Sequence, residues 1–258
     1  MKAILVAGGE GSRLLPFTRY THKTLLPLFE RPVIDYALGT IRRAGIQDIT
    51  IIGNRFIGQI AKHVGTGLKG ENIHYVIEEE PRGIGHALNL ARPHVDGSRL
   101  LIYFSDNITS TELIDEVKQW KEAGEPPGAF LLGRTVETPN AFGVGKFDEE
   151  GNLVGIEEKP AAPASNVAIG GIYLFDESFW ELLDEEMAKA GSDFSITDVN
   201  KRYLQMAKVT LKNLDKDVWL DCGTPDNLLE AAKFAREGVL NPMPCNYKKG
   251  DSRIGWAE

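Results

Sequence analysis

The sequence predicts an α/β fold built on a mostly parallel sheet, and three observations carry that prediction. Short apolar runs alternate with helical patterns through the first half of the 258 residues, the rhythm of βαβ crossovers and hence of parallel strands. A glycine-rich stretch, Gly8-Gly9-Glu10-Gly11, follows the first apolar run directly, at the carboxyl end of a strand where open α/β sheets bind ligands. Beyond Pro126-Pro127-Gly128 the apolar runs succeed one another with few helices between them, which points to an antiparallel or mixed extension of the sheet.

Residues 2–7 (KAILVA) are an apolar run of the kind that forms a strand buried on both faces. Residues 33–44 set Val33, Ile34, Ala37, Leu38 and Ile41 at helical spacing and stop at Gly45. Residues 48–53 (DITIIG) repeat the buried-strand pattern, 57–64 read as a short helix and 73–77 as a third strand. A helix over 84–92, a strand over 100–104 and a helix over 112–123 closed by Gly124 complete the alternating half. Strands then follow over 129–136, 143–147, 153–157 and 168–175. Helices return at 177–190 and 196–206, and strands at 209–214 and 218–220. The closing helix, 225–237, carries Pro225 in its first turn, where a missing N–H is harmless. Residues 241–258 show no clear element.

Hydrophobic residues make up 42% and charged residues 26% of the chain, the balance of a soluble globular protein. No apolar run approaches the roughly 20 residues that span a bilayer, and the apolar stretch at the N-terminus is too short for a signal peptide. Two cysteines, Cys222 and Cys245, give no disulfide framework, so a reducing cytoplasm is the expected location. The expectation is two silent thiols, with an incidental bridge as the alternative. The net charge of −8 argues against nucleic acid or an anionic membrane as a partner. If the substrates are phosphates, positive charge must be gathered in a pocket by a few lysines and arginines.

Three glycines within Gly8–Gly11 let the backbone turn sharply and bring N–H groups close to a phosphate chain. The loop is not of the Walker type, since no Gly-Lys-Ser/Thr follows. Nor is it a dinucleotide fingerprint, because Leu14 stands where glycine or alanine is required. Taken alone, the loop fits a tight turn without a ligand, and Arg13 fits a surface charge. The longer run GGEGSRLLPFTRYTHKTLLPL, residues 8–28, resembles the signature of the sugar-1-phosphate nucleotidyltransferases: Gly-Gly-x-Gly-Thr/Ser-Arg-Leu-x-Pro-x-Thr, then Lys, then Leu-Leu-Pro. The resemblance extends over about residues 1–237 and is to the short-chain glucose-1-phosphate thymidylyltransferases in particular. It implies a Rossmann-like, three-layer α/β/α domain of the nucleotide-diphospho-sugar transferase type, its sheet mostly parallel but mixed, with a small antiparallel sugar-binding extension. Residues 1–237 would form that domain, about 1–125 the nucleotide-binding half and 126–237 the sugar-binding half, with 238–258 a tail.

The resemblance also implies roles. The nucleotide site would comprise Val6, Gly8, Gly9, Gly11, Ser12, Arg13, Glu78, Gly83 and Asp106. Arg13 would contact the pyrophosphate leaving group and Lys23 would hold phosphate oxygens. Such roles suit a transfer that depends on positioning and charge neutralisation rather than on a protein nucleophile. Asp106, after the apolar run 100–104, matches the family's Gly-Asp-Asn element, with Ser105 replacing the glycine. Asp221, in Trp219-Leu220-Asp221-Cys222-Gly223-Thr224, matches its Trp-x-Asp-x-Gly-Thr element. Together they would bind Mg²⁺, which takes one or two protein carboxylates. Read bare, Asp106 equally fits a cap and Asp221 an ordinary turn residue.

On the sugar side, Phe142-Gly143-Val144 and Glu157-Glu158-Lys159-Pro160 resemble the family's aromatic-Gly-Val and Glu-Lys-Pro elements. Gly143, Glu158, Lys159, Asn107, Gly170 and Tyr173 would then hold the sugar phosphate, with Lys159 also counted as catalytic. Without the resemblance, Glu158-Lys159 is a solvated charge pair. Ile196-Thr197-Asp198 matches the family's helix start.

Two departures bear on substrate. Glu78 falls where the thymidylyltransferases carry a glutamine that pairs with N3–H and O4 of thymine or uracil. An ionised glutamate accepts from N3–H but cannot donate to O4, and favours the amino group of cytosine or the N1–H/N2–H₂ edge of guanine. The alternatives are a shifted register within Glu78-Glu79-Glu80, or a base held by backbone groups. Gly191 falls where the family places an arginine near the sugar phosphate, so the acceptor can differ from glucose 1-phosphate. The partners expected are an NTP and a sugar 1-phosphate, within a homo-oligomer, dimeric or tetrameric by analogy. The rival readings are a non-catalytic nucleotide or sugar-phosphate sensor, against which both aspartates and all three cations speak, and an NAD-binding Rossmann enzyme, against which the glycine spacing speaks.

Overall fold

A computed structural model describes residues 1–122 and 128–242. In chain order its elements are β1 (Lys2–Ala7), β2 (Pro27–Leu28), β3 (Arg31–Pro32), α1 (Val33–Arg43), β4 (Asp48–Gly53), α2 (Ile57–Val64), β5 (Asn72–Ile77), α3 (Ile84–Val95), β6 (Leu100–Phe104) and β7 (Asn107–Thr109). There follow α4 (Ile114–Glu122), β8 (Ala129–Thr135), β9 (Gly143–Phe147), β10 (Leu153–Glu158), β11 (Val167–Phe175), α5 (Phe179–Ala190), α6 (Ile196–Gln205), β12 (Val209–Asn213), β13 (Trp219–Asp221) and α7 (Pro225–Arg236).

The first half folds as its alternation requires. β1 pairs in parallel with β4 on one side and β6 on the other, and β4 pairs in parallel with β5. Successive side chains of β1 point to opposite faces, and both faces are covered. Ala3, Leu5 and Ala7 enter a core shared with α1 and α4, while Ile4 enters a second core shared with α3, α5 and α6. That is why the strand is apolar throughout rather than alternating. Each fully buried side chain such as Ile4 or Leu5 stabilises the fold by about 1.5–3 kcal/mol.

β11 then joins β6 antiparallel, and β8 joins β11 antiparallel with β12 parallel to β8. The amino-terminal part of β11 instead takes β9 as its neighbour, and β10 completes a hairpin with β9. The result is a mixed nine-stranded sheet between two helical layers, with an antiparallel branch, β9–β10, at one end. Because β1, β4, β5 and β6 run in parallel, Ala7, Gly53, Ile77 and Phe104 finish at one edge. The antiparallel β11 brings Gly170 and Gly171 to that same edge, just past its pairing of Ile172 with Tyr103. The register of β11 against β8 breaks between Ile169 and Tyr173.

The boundaries shift where packing overrides local signals. α3 runs through Pro93 to Val95, whose side chain is buried. α4 begins at Ile114 rather than at residue 112, and the predicted end at 123 and the half-domain boundary at 125–126 lie outside the described residues. The strand expected over 218–220 is Trp219–Asp221, and it pairs with β7 instead of the main sheet. Neither β7 nor the β2–β3 hairpin was expected, since two or three residues carry no periodicity. Cys222 is buried as a free thiol, and burial pushes its pKa upward. Cys245 lies outside the described residues.

Candidate active site

The glycine loop leaves β1 at Ala7 and turns into a short 3-10 segment, Ser12–Leu14. Gly11 takes φ +67, a left-handed conformation that costs other residues dearly. Leu14 is buried and anchors the far end. The loop is held through its carbonyls: Asn54 Nδ2 donates to the oxygens of Gly8 and Gly9, each at 3.3 Å, and Thr18 Oγ1 to that of Gly11 at 2.7 Å. A Cβ on Gly9 would stand 2.8 Å from Lys23 Nζ, and one on Gly8 2.8 Å from Glu78 Oε2. The paired glycines therefore let a cation and a carboxyl approach the loop from its two sides.

Lys23 opens a further 3-10 turn, Lys23–Leu25, capped by His22. Burial pushes the His22 pKa down to about 4, so the imidazole is neutral and its Nδ1 accepts from Thr24 N at 3.2 Å and from the Thr24 hydroxyl at 2.7 Å. From this fixed turn Lys23 Nζ donates to Asp106 Oδ2. Asp106 lies in the turn between β6 and β7, where its other oxygen accepts from Asn107 Nδ2 at 3.0 Å. The β7–β13 ladder places Asp221 opposite Asn107, and Cys222 N donates to the Asp106 carbonyl at 2.8 Å. The two aspartates are thereby neighbours. Burial, and after it the charge of Asp106, raises the Asp221 pKa, while Lys23, the Gly223 N–H and Arg13 oppose the rise. Arg13 Nη2 stands 3.8 Å from Asp221 Oδ2.

Beside these charges opens a pocket of about 330 Å³ whose lining includes Asp106, Asn107, Gly143, Glu158, Lys159, Gly170, Tyr173 and Asp221. Every residue expected on the sugar side is therefore at one cavity. Glu158 ends β10 opposite Gly143, and its Oε2 accepts from Thr197 Oγ1 at 2.6 Å. Lys159 follows with φ +43, its Nζ 3.4 Å from Glu158 Oε1. Tyr173 is buried, and its hydroxyl accepts from Gly171 N at 3.2 Å. A cavity of about 380 Å³ elsewhere is lined by Glu30, Arg31, Asp35 and His63, where Arg31 and His63 both pair with Asp35, and none of the residues expected at the site reaches it. Neither volume nor charge alone singles out the site; the pair of aspartates beside the glycine loop does.

Of the residues expected on the nucleotide side, Asp106 lines that pocket; the others sit outside it, along the carboxyl ends of β1 and β5. Val6 is half-buried opposite Ile52 and Phe104, Gly83 caps α3 with φ +93, and Glu78 is 6% exposed. Gly191 is exposed, with open space where a side chain would be.

Three supporting roles were not anticipated from the sequence. Asn54 holds the loop, His22 holds the turn of Lys23, and Thr197 holds Glu158. Only Thr197 had a local signal. Ser195 and Asp198 form a capping box at the start of α6, and a helix N-terminus with Thr197 in its first turn is legible from Ser-x-x-Asp.

The family model of nucleotidyl transferases matches residues 2–238. The chain is 34% identical to a glucose-1-phosphate thymidylyltransferase of Mycobacterium tuberculosis, over 100% of this chain and 91% of that protein. It is also 34% identical to one from Xanthomonas campestris, over 100% and 88%. A Bacillus anthracis structure described as a glucose-1-phosphate thymidylyltransferase in complex with sucrose superimposes with a TM-score of 0.86 at 32% identity, covering 99% of both chains. A UDP-glucose pyrophosphorylase complexed with UDP-glucose shares the fold, with a TM-score of 0.80 at 19% identity over 92% of this chain and 98% of that one.

Proposed function

This chain belongs to the nucleotidyl transferase family, and we propose that it transfers a nucleoside monophosphate from an NTP to a sugar 1-phosphate. Glucose 1-phosphate with dTTP or UTP is the leading substrate pair, as the names of the relatives at 34% identity suggest. The observation that carries the reading is the meeting of Lys23, Asp106, Asp221 and Arg13 at the mouth of the pocket that holds Glu158 and Lys159.

In this reading Glu158, steadied by Thr197, orients sugar hydroxyls, and Lys159 draws the acceptor phosphate towards the triphosphate against their mutual repulsion. An oxygen of the sugar phosphate attacks the α-phosphorus in line. The bond from that phosphorus to the bridging oxygen breaks, and pyrophosphate leaves carrying the electron pair. Arg13 and Lys23 stabilise its charge, and the glycine loop positions the triphosphate. Asp106, in the turn between β6 and β7, and Asp221, at the end of β13, offer hard oxygen donors side by side, and burial first and the charge of Asp106 second raise the pKa of Asp221. This donor set fits Mg²⁺. Its contribution when bound is to neutralise phosphate charge. The two halves of the chain divide accordingly, nucleotide along β1 and β5, sugar phosphate by β9, β10 and β11. A cytoplasmic location and a dimeric or tetrameric assembly belong to the same reading.

Pyrophosphate release over a matrix of five NTPs and several sugar 1-phosphates, with and without Mg²⁺, tests the proposal. Turnover that requires Mg²⁺ and falls about 10²- to 10³-fold on Lys23→Ala supports it. Wild-type rates in both Lys23→Ala and Asp221→Asn overturn the assigned roles. Mg²⁺-independent silence across the matrix favours a sensor. Use of GTP or CTP alone, or of a different sugar, would keep the chemistry and change the substrate.

A further inference from the structure

A buried carboxyl oxygen without a partner lies along the sheet edge, on the far side of the glycine loop from the sugar pocket. Glu78 directly follows β5, and its N–H donates to the Gly53 carbonyl at 2.8 Å, fixing the residue at that edge. The side chain is buried, Oε2 faces Gly8, and Oε1 has no hydrogen-bond partner. Among the described residues no cation stands within ion-pair distance of it. Arg82, after β5, is exposed and 4.0 Å from Glu80, and across the cleft Glu10 and Arg55 face each other at 3.8 Å. Glu79 and Glu80 are exposed and add charge of the wrong sign. His86, in α3, is the remaining titratable neighbour.

The sheet order β11-β6-β1-β4-β5 orders the ligand as well. The sugar pocket lies by β11 and β6, and Lys23 and Asp106 by β6 and β1. On the nucleotidyl-transfer reading, which this inference rests on, a triphosphate reacting there extends its nucleoside over Gly8 towards Glu78. We infer that Glu78 reads the nucleobase and does so as a carboxylic acid, holding a proton while dTTP or UTP is bound. A carboxylate only accepts; a carboxylic acid sets a donor beside an acceptor, the complement of O4 and N3–H in thymine or uracil. The glutamate then does what a glutamine amide would do, and the repulsion expected of an ionised side chain does not arise. Because the proton can sit on either oxygen, the N3/N4 edge of cytosine is matched too. Guanine, with donors at both N1 and N2, prefers the carboxylate. Burial raises the Glu78 pKa, with the Arg82 backbone, His86 and the Arg82 charge opposing it, in keeping with a bound proton.

The test is the pH dependence of KM for dTTP, and of KM or competitive Ki for GTP, between pH 5.5 and 9. Both are measured by pyrophosphate release in wild type and Glu78→Gln. In the wild type KM for dTTP, divided by that of the variant to cancel triphosphate ionisation, should rise about tenfold per pH unit above the Glu78 midpoint. The GTP constant should change in the opposite sense. Should the variant fail to fold, the wild-type ratio of the dTTP to the GTP constant cancels the same ionisation and must rise with pH. Flat ratios over this range overturn the inference and leave nucleotidyl transfer standing. No pyrophosphate from any NTP overturns the parent reading and the inference with it.

Discussion

Replacing Asp221 with asparagine keeps the side-chain shape and removes one of the two carboxylate charges beside the pocket. Asp106 is already bonded to Lys23, so Asp221 shares the field of that lysine, accepts from Gly223 N at 2.8 Å and has Arg13 as its own ion-pair partner at 3.8 Å, with a side chain 63% exposed. At that distance in water's dielectric the attraction is about 1 kcal/mol, and exposed pairs deliver about 0.2–1 kcal/mol once side-chain entropy is included. A buried carboxylate costs several kcal/mol, so Arg13 does not offset it. The folded-state pKa of Asp221 is raised above its ordinary 3.8. The ionised group therefore destabilises the fold at neutral pH, and the penalty fades as pH falls through the raised value. Asp221→Asn should then be more stable than wild type at pH 7 by about 0.5–2 kcal/mol, as when strain at a functional site is relieved. In a chain of this length that is a Tm rise of about 1–4 °C. Pyrophosphate release should fall about 10²-fold or more. Thermal scans between pH 4.5 and 8, paired with a coupled pyrophosphate assay, read both effects. The gap in Tm should narrow on acidification. Added Mg²⁺ should stabilise the wild type more than the variant, since a ligand that binds only the native state raises its stability. A variant less stable than wild type at pH 7, or a Tm gap indifferent to pH, refutes the charge reasoning.

Thr197→Val deletes the 2.6 Å bond to Glu158, and losing such a bond to a charged group costs about 1.5–3 kcal/mol. KM for the sugar 1-phosphate should rise about 10- to 100-fold with KM for the NTP unchanged; equal rises in both would place Thr197 in general folding instead. His22 titrates at about 4 in the fold against an ordinary 6.5, so the unfolded chain binds more protons between those values and stability falls as pH drops through them. About 3 kcal/mol should be lost over that window, measured by urea denaturation. In His22→Asn, which keeps an acceptor for Thr24 N, this contribution should vanish; an unchanged pH profile would show that the ring is not the buried neutral group it is taken to be.

Residues that signal through their immediate neighbours were legible in the sequence. The strand KAILVA had to be buried on both faces because it is apolar at every position after Lys2, and the glycines after it had to turn. The alternation that follows fixed the parallel core, and the change after residue 128 anticipated the antiparallel strands. The sugar-side residues could be named because each sits in a short motif, yet nothing in those motifs says that they line one cavity. Glu78 could be placed at a strand end, but its burial against Gly8, which raises its pKa, comes from residues distant in the chain. The same holds for Asn54 and His22, whose contacts with the loop and with Thr24 leave no periodic trace.

What the sequence determined by itself was the class of chemistry. A glycine loop with Arg13 and Lys23, and aspartates in matching contexts, specify phosphate binding and transfer because residue type dictates charge and donor capacity wherever the chain places it. What only the tertiary structure decided was which charges meet. Asp106 and Asp221 become neighbours through the β7–β13 ladder, three residues in each strand and too short to show a period. Lys23 joins Asp106 through a turn capped by a neutral histidine. Pairing between distant segments depends on strand register and on the free energy of burial, both of which are properties of the assembled core. Residue type supplied the charges, and packing set the distances and the dielectric that make them a site.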